Sequence, residues 1–164
     1  MEISPWMVQV VTTRGIRCGG SIIANKFVVT AAHCVLDAEH AWIELGGFYP
    51  GDTKEFNLVR RIISHPGYNR TLLDNDVALL ETWLPIDMQT YIPVCLRKTL
   101  ETYDHKEAQV IVYRDGIQRM LNARVLPPTY CRDGNQMKSR LCAVQFINAG
   151  IQKFCPNIKL DQRK

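Results

Sequence analysis

Short apolar or alternating stretches recur along the chain at 6–12, 21–23, 27–31, 41–45, 58–64, 77–82, 108–113, 120–126 and 141–147. β-Branched residues are dense in them: Val8, Val10, Val11, Val28, Val29, Ile62, Ile63, Val110, Ile111 and Val112. Such side chains suit a pleated, half-buried surface. Turn-forming pairs punctuate the runs at Gly46-Gly47, Pro50-Gly51, Pro66-Gly67, Pro127-Pro128 and Asp133-Gly134. Many short strands at this spacing predict an all-β barrel or sandwich. One helical turn is predicted at 31–35, directly after a strand, and 96–103 is polar enough to link two halves. No internal repeat or low-complexity segment interrupts the pattern.

Composition narrows the class. The chain has 164 residues, 46% of them hydrophobic, enough to bury a core. All-β barrels often run to about 200–250 residues as one domain, so a barrel protein of this length is expected to be incomplete. The net charge is +4, with the basic residues scattered apart from Arg60-Arg61 and the last few positions. Nucleic-acid recognition calls for a clustered basic face or a known module, so no nucleic-acid partner is expected. No run approaches the ~18 apolar residues of a membrane span, and no membrane association is expected.

Six cysteines suit an oxidising compartment. They form no Cys-x-x-Cys pair, so no metal site is expected. Asn69-Arg70-Thr71 is an N-glycosylation sequon, in keeping with a secreted surface loop. Met1-Glu2-Ile3-Ser4-Pro5 has neither the basic nor the apolar region of a signal peptide. Extracellular cysteine chemistry without an export signal points to a piece of a longer secreted chain.

Two strings carry the chemistry. Thr30-Ala31-Ala32-His33-Cys34 follows the apolar Phe27-Val28-Val29, with Cys18-Gly19-Gly20-Ser21 upstream. Asp74-Asn75-Asp76-Val77-Ala78-Leu79-Leu80 follows later. The first resembles the general-base histidine region of the chymotrypsin/trypsin-like serine proteases, and the second resembles the segment bearing their orienting aspartate. A hydrolase of this kind needs a hydroxyl nucleophile, a histidine to take its proton and a carboxylate to hold that histidine's tautomer. The resemblance assigns His33 as general base and Asp76 as its orienter, leaving Asp74 a solvated loop acid. A histidine buried beside a disulfide and a turn aspartate at a strand entry are the plainer readings of each residue alone.

Framework segments extend the likeness over nearly all of 5–155. Pro5-Trp6-Met7-Val8-Gln9-Val10 resembles the family's first strand, and Arg61-Ile62-Ile63-Ser64-His65-Pro66-Gly67-Tyr68-Asn69 the strand and turn before the aspartate. Ile92-Pro93-Val94-Cys95-Leu96 resembles the crossing to a second barrel, and Arg140-Leu141-Cys142-Ala143 a stretch of that barrel. The implied fold is all-β, a chymotrypsin-like double antiparallel β-barrel with the second barrel incomplete. The chain is then one peptidase domain over 1–164, with the first barrel at about 5–95, a partial second at about 105–157 and a divergent tail at 158–164. The resemblance also implies Cys18–Cys34 and Cys131–Cys142 disulfides. Cys95 resembles a cysteine tethered to an upstream pro-segment, as in clip-domain members, and Cys155 one whose partner lies beyond the nucleophile. A Cys95–Cys155 bond is the alternative.

The nucleophile does not follow. In this family it lies in Gly-Asp-Ser-Gly-Gly-Pro after a cysteine, whereas Cys155-Pro156-Asn157-Ile158-Lys159 stands here, with Lys159 at the serine's place. The four serines are Ser4, Ser21, Ser64 and Ser139, none in a Gly-x-Ser-x-Gly setting. The family's Ile-Val-Gly-Gly start is absent before Pro5, and Tyr113-Arg114-Asp115-Gly116 replaces its Gly-Trp-Gly. The expectation is a serine endopeptidase domain by descent, extracellular, needing no cofactor, with a protein or peptide substrate. It retains base and orienter but lacks serine, oxyanion hole and specificity pocket, as a truncated form would. The alternative is a non-catalytic protease homologue acting as a secreted binding or regulatory module. A polyanion-binding role for Arg60, Arg61 and the basic tail is the weakest reading.

Overall fold

In β1 (Met7–Thr12) the alternate residues Val8, Val10 and Thr12 are almost wholly buried, and Met7 and Val11 on the other face are buried as well. The same alternation runs through β2 (Arg17–Ala24), β3 (Phe27–Thr30), β4 (Ala41–Gly46) and β6 (Ala78–Thr82), where Ile22, Val28, Ile43, Leu45, Ala78 and Leu80 point inward. Side chains alternate across a strand, so a period of two with one buried face closes naturally around a core. With β5 (Lys54–Ser64) these strands form a closed antiparallel barrel in the order β1-β2-β3-β6-β5-β4. The computed structural model describes residues 4–47, 53–96, 103–114, 117–127, 130, 142–147 and 150–154.

Beyond the barrel, β7 (Glu107–Arg114), β8 (Ile117–Leu126), β9 (Cys142–Ile147) and β10 (Gly150–Phe154) form a four-stranded antiparallel meander. The architecture is all-β, a complete first barrel with a partial second sheet. Among the described residues one short helix, α1 (Ala32–Val35), follows β3, where the helical turn was expected.

Three differences from the expected strands have physical causes. β2 begins at Arg17 and includes Cys18-Gly19-Gly20, a poor strand former by composition, because pairing with Gln9, Val10 and Val11 of β1 holds it extended. β10 was not anticipated, since Gln152-Lys153 interrupts its apolar pattern; it forms by pairing along β9. β5 begins at Lys54 and reverses the usual polarity, with Phe56 and Leu58 more than 60% exposed and Asn57 buried. Asn57 stays inside because its Nδ2 donates to the Leu84 carbonyl at 2.8 Å and its Oδ1 accepts the Leu84 N–H at 3.3 Å.

β5 then changes phase. Val59 pairs with Thr82 and Arg61 with Glu81, so Arg60 is an extra residue, a β-bulge. The bulge lets both arginines of the doublet face outward while Ile62 returns to the core side. Arg60 and Arg61 lie 3.9 and 3.0 Å from the Glu81 carboxylate, and Arg60 stacks 5.4 Å from the Trp83 ring centre.

Two sites test this packing. A Cβ at Gly20 would come within 2.9 Å of Val28 Cγ1 and 3.0 Å of Val10 Cγ2, whereas one at Gly19 would meet only Met7 Cε, at 3.5 Å. Gly20→Ala should destabilise the fold by about 1–3 kcal/mol through overpacking, and Gly19→Ala should leave the urea midpoint nearly unchanged. The second site is Glu44, whose side chain is 6% exposed and meets Arg17 at 3.1 Å and Lys54 at 3.0 Å. Burial pushes its carboxyl up, but the hydrogen bonds from Lys54 and Arg17 outweigh burial and hold it below the usual carboxylate value. A carboxyl lowered in the folded state contributes fully above its unfolded value, and that contribution is lost as pH falls through the folded one. Glu44→Gln should therefore flatten the acid limb of stability against pH, measured by denaturation at stepped pH.

Candidate active site

Helix α1 starts without a side-chain cap: Ala31 occupies the N-cap position in extended backbone and offers no oxygen. First-turn N–H groups have no partner within a helix and need one from elsewhere. Asp76, far along the chain, supplies it. Its Oδ1 accepts the His33 backbone N–H at 2.8 Å, and its Oδ2 lies 2.8 Å from His33 Nδ1. The Asp76 side chain has no accessible surface, while that of His33 is 46% exposed. One carboxylate thus completes the helix start and grips the ring that projects from it.

The loop before β6 sets this aim. His65 Nδ1 accepts the Gly67 N–H at 3.0 Å, and Asn75 Nδ2 donates to the Gly67 carbonyl at 2.8 Å. Leu73 and Asn75 both take left-handed backbone, with φ of 50° and 54°. Asparagine tolerates that region; leucine there is strained. The two bracket Asp74, which is partly buried and bridges Asn69 through its backbone, rather than standing in solvent as a free loop acid.

From the other side, Cys34 is bonded to Cys18 of β2 across a Cα–Cα distance of 6.1 Å. Closing a loop of this length stabilises by about 3 kcal/mol in the chain-entropy model. Cys34 Sγ also lies 3.4 Å from His33 Nε2. The sulfurs of Cys18 and Cys34 and a His33 ring nitrogen all fall within 4.8 Å of one another. Disulfide sulfurs are not thiolates, so this trio offers no metal-binding set while the bond stands.

Tyr68, read from the sequence only as part of the framework turn, was given no role of its own. Its hydroxyl is buried, without a hydrogen-bond partner among the described residues. Burial first, then the negative charge of Asp76, push its phenol above the usual tyrosine value, and Arg70 partly offsets them. The charge on Asp76 therefore reaches the buried Tyr68 hydroxyl. The available signal was position, within the turn that leads to the aspartate.

With Nδ1 engaged by a carboxylate, an imidazole presents Nε2 as its proton-accepting atom. Among the described serines, Ser4 Oγ lies 3.7 Å from Met120 Sδ and Ser21 Oγ 3.9 Å from Met7 Sδ, and Ser64 sits in β5 opposite Ala78. Ser139, Cys131, Cys155, the tail at 158–164 and the Cys142 side chain lie outside the described residues. Cys95 is exposed and bonded to no cysteine among the described residues.

The comparisons with known proteins agree with this layout. The family model described as Trypsin matches residues 2–150. A trypsin of Phaedon cochleariae is 40% identical over 88 residues, covering 51% of this chain and 34% of its own length. Vitamin K-dependent protein C of Oryctolagus cuniculus is 33% identical over 171 aligned positions, covering 90% of this chain and 37% of its own. The chain thus spans about a third of the length of these curated relatives. Among solved structures, HL collagenase superposes with a TM-score of 0.77 at 26% identity, over 86% of this chain and 68% of its own. The scabies mite inactivated protease paralogue S-D1 shares the fold, with a TM-score of 0.76 at 22% identity over 94% of this chain and 78% of its own.

Removing the Asp76 carboxylate should leave the His33 N–H without its acceptor. Asp76→Ala is expected to lower stability by about 1–3 kcal/mol, read from urea denaturation. Asp76→Asn, which keeps an oxygen for that N–H, should lose less.

Proposed function

The chain belongs to the trypsin family of serine proteases, and from that premise we propose that it carries the base-and-orienter half of an endopeptidase site. His33 is the general base. Asp76 fixes its Nδ1–H tautomer and stabilises the imidazolium formed when Nε2 takes a proton. The 2.8 Å contact between His33 Nδ1 and a fully buried Asp76 oxygen carries this reading. A dry carboxylate on one ring nitrogen and partial exposure of the same ring are what proton abstraction from a hydroxyl requires. Residues 1–164 read as one peptidase domain, with a protein or peptide substrate and an extracellular setting that the Cys18–Cys34 bond favours.

The hydroxyl itself is not among the sequence's serines. Ser4 and Ser21 contact methionine sulfurs, and none of the four lies in a nucleophile motif. We therefore read these 164 residues as inactive by themselves. In the subtilisin system, loss of the triad serine lowers turnover by roughly 10⁶-fold. A non-catalytic homologue serving as a secreted binding or regulatory module is the second reading. It is favoured by His33 Nε2 facing the Cys34 sulfur at 3.4 Å, with no described serine hydroxyl beside it.

Two measurements bear on the proposal. The purified chain should take no label from a serine-directed fluorophosphonate, and labelling would defeat the claim of inactivity. Proton NMR should show a strongly deshielded His33 Nδ1–H that vanishes in Asp76→Asn. Its absence from the unsubstituted chain would defeat the assignment of base and orienter.

A further inference from the structure

We propose that Asn69 carries an N-linked oligosaccharide, and that this sugar shields the loop standing between His33 and Asp76 in the chain. A sequon alone is a frequent accident, but here the geometry adds to it. Asn69, Arg70 and Thr71 are all exposed. Asn69 Oδ1 accepts the Thr71 N–H at 2.9 Å and the Leu72 N–H at 3.0 Å, closing an Asx turn within the sequon itself. The backbone closes beneath it: Asn69 N–H donates to the Asp74 carbonyl at 2.8 Å, and Asp74 N–H to the Asn69 carbonyl at 3.2 Å. The acceptor asparagine therefore sits at the neck of a tight surface loop outside the barrel strands, where an added sugar displaces no core residue.

The chemistry is a group transfer. The donor class is an oligosaccharide activated at C1 through a lipid-linked pyrophosphate. Asn69 Nδ2 attacks C1 and forms the N–C1 bond. The C1–O bond breaks, its electron pair leaves with the pyrophosphate, and Nδ2 loses one proton. Two hydrogen bonds into Oδ1 polarise the carboxamide and ease that proton's departure. The Cys18–Cys34 bond is consistent with passage through the oxidising compartment in which such donors are used.

Arg70 is exposed, its guanidinium 3.3 Å from Asp37 on the turn after α1. The exposed bond after Arg70 becomes a target for an arginine-directed protease when the Asx turn opens, and a cut there separates the segment bearing His33 from the one bearing Asp76. A sugar on the preceding residue keeps that bond out of a protease cleft. The proposal is independent of whether His33 acts as a base, because glycan and shielding belong equally to an active enzyme and to a binding module.

The test expresses the full chain behind a secretory leader in eukaryotic cells and collects both the secreted and the retained pools. Treatment with a glycan-releasing amidase should shift the band and convert Asn69 to aspartate in the peptide spectrum. Thr71→Ala should abolish the shift, and Thr71→Ser should keep it. Chain that has formed its Cys18–Cys34 bond in those cells yet bears no sugar at Asn69 overturns the proposal. For the shield, limited trypsinolysis should cut after Arg70 faster in chain made with the lipid-linked donor blocked, which leaves Asn69 unmodified, than in the sugar-bearing chain. Equal rates with and without it overturn that part.

Discussion

Both oxygens of Asp76 are engaged by a single residue. Moving an ionised carboxylate out of water is strongly unfavourable unless hydrogen bonds replace its hydration, and this side chain has no accessible surface. The replacements come from His33, once through its backbone N–H and once through its ring. The constraint is mutual. An uncapped helix start needs an acceptor, a buried acceptor needs donors, and the geometry that satisfies one satisfies the other. α1 is thereby fixed to the loop before β6 by hydrogen bonds and to β2 by the Cys18–Cys34 bond. A histidine clamped on both sides keeps its orientation without help from its exposed edge.

The barrel supports this clamp through phase. β3 delivers α1 and β6 follows Asp76, and these strands pair directly, with Thr30 opposite Ala78. A one-residue slip would turn every core side chain outward. The Arg60 bulge in β5 absorbs such a slip on the far side of β6 and leaves the β3–β6 register intact. Glu81, the partner of both arginines across that pair, ties the bulge down from the outer face.

His33 and Asp76 were legible because each abuts an apolar strand in a distinctive string. The barrel strands were legible because one buried face imposes a period of two. What escaped reading depended on partners distant in the chain. Asn57 faces inward only because Leu84 satisfies its amide, and Phe56 and Leu58 face solvent as a result. The Cys18-Gly19-Gly20 stretch has little strand propensity and is extended because β1 pairs with it. Tyr68 packs against the core with its hydroxyl buried, a placement set by the fold of a turn rather than by any spacing. Family strings located the pair; they could not report that the same carboxylate also accepts the His33 backbone N–H.

β6 is the last barrel strand to leave the ribosome, yet it lies between β3 and β5, both made earlier. Until residues 78–82 emerge, the other five strands can form only an open sheet, with β3 and β5 as its two raw edges. Asp76 enters with β6, two positions ahead of it. Ring closure and the meeting of His33 with its carboxylate therefore belong to one folding event, and a nascent chain stalled short of residue 76 has neither.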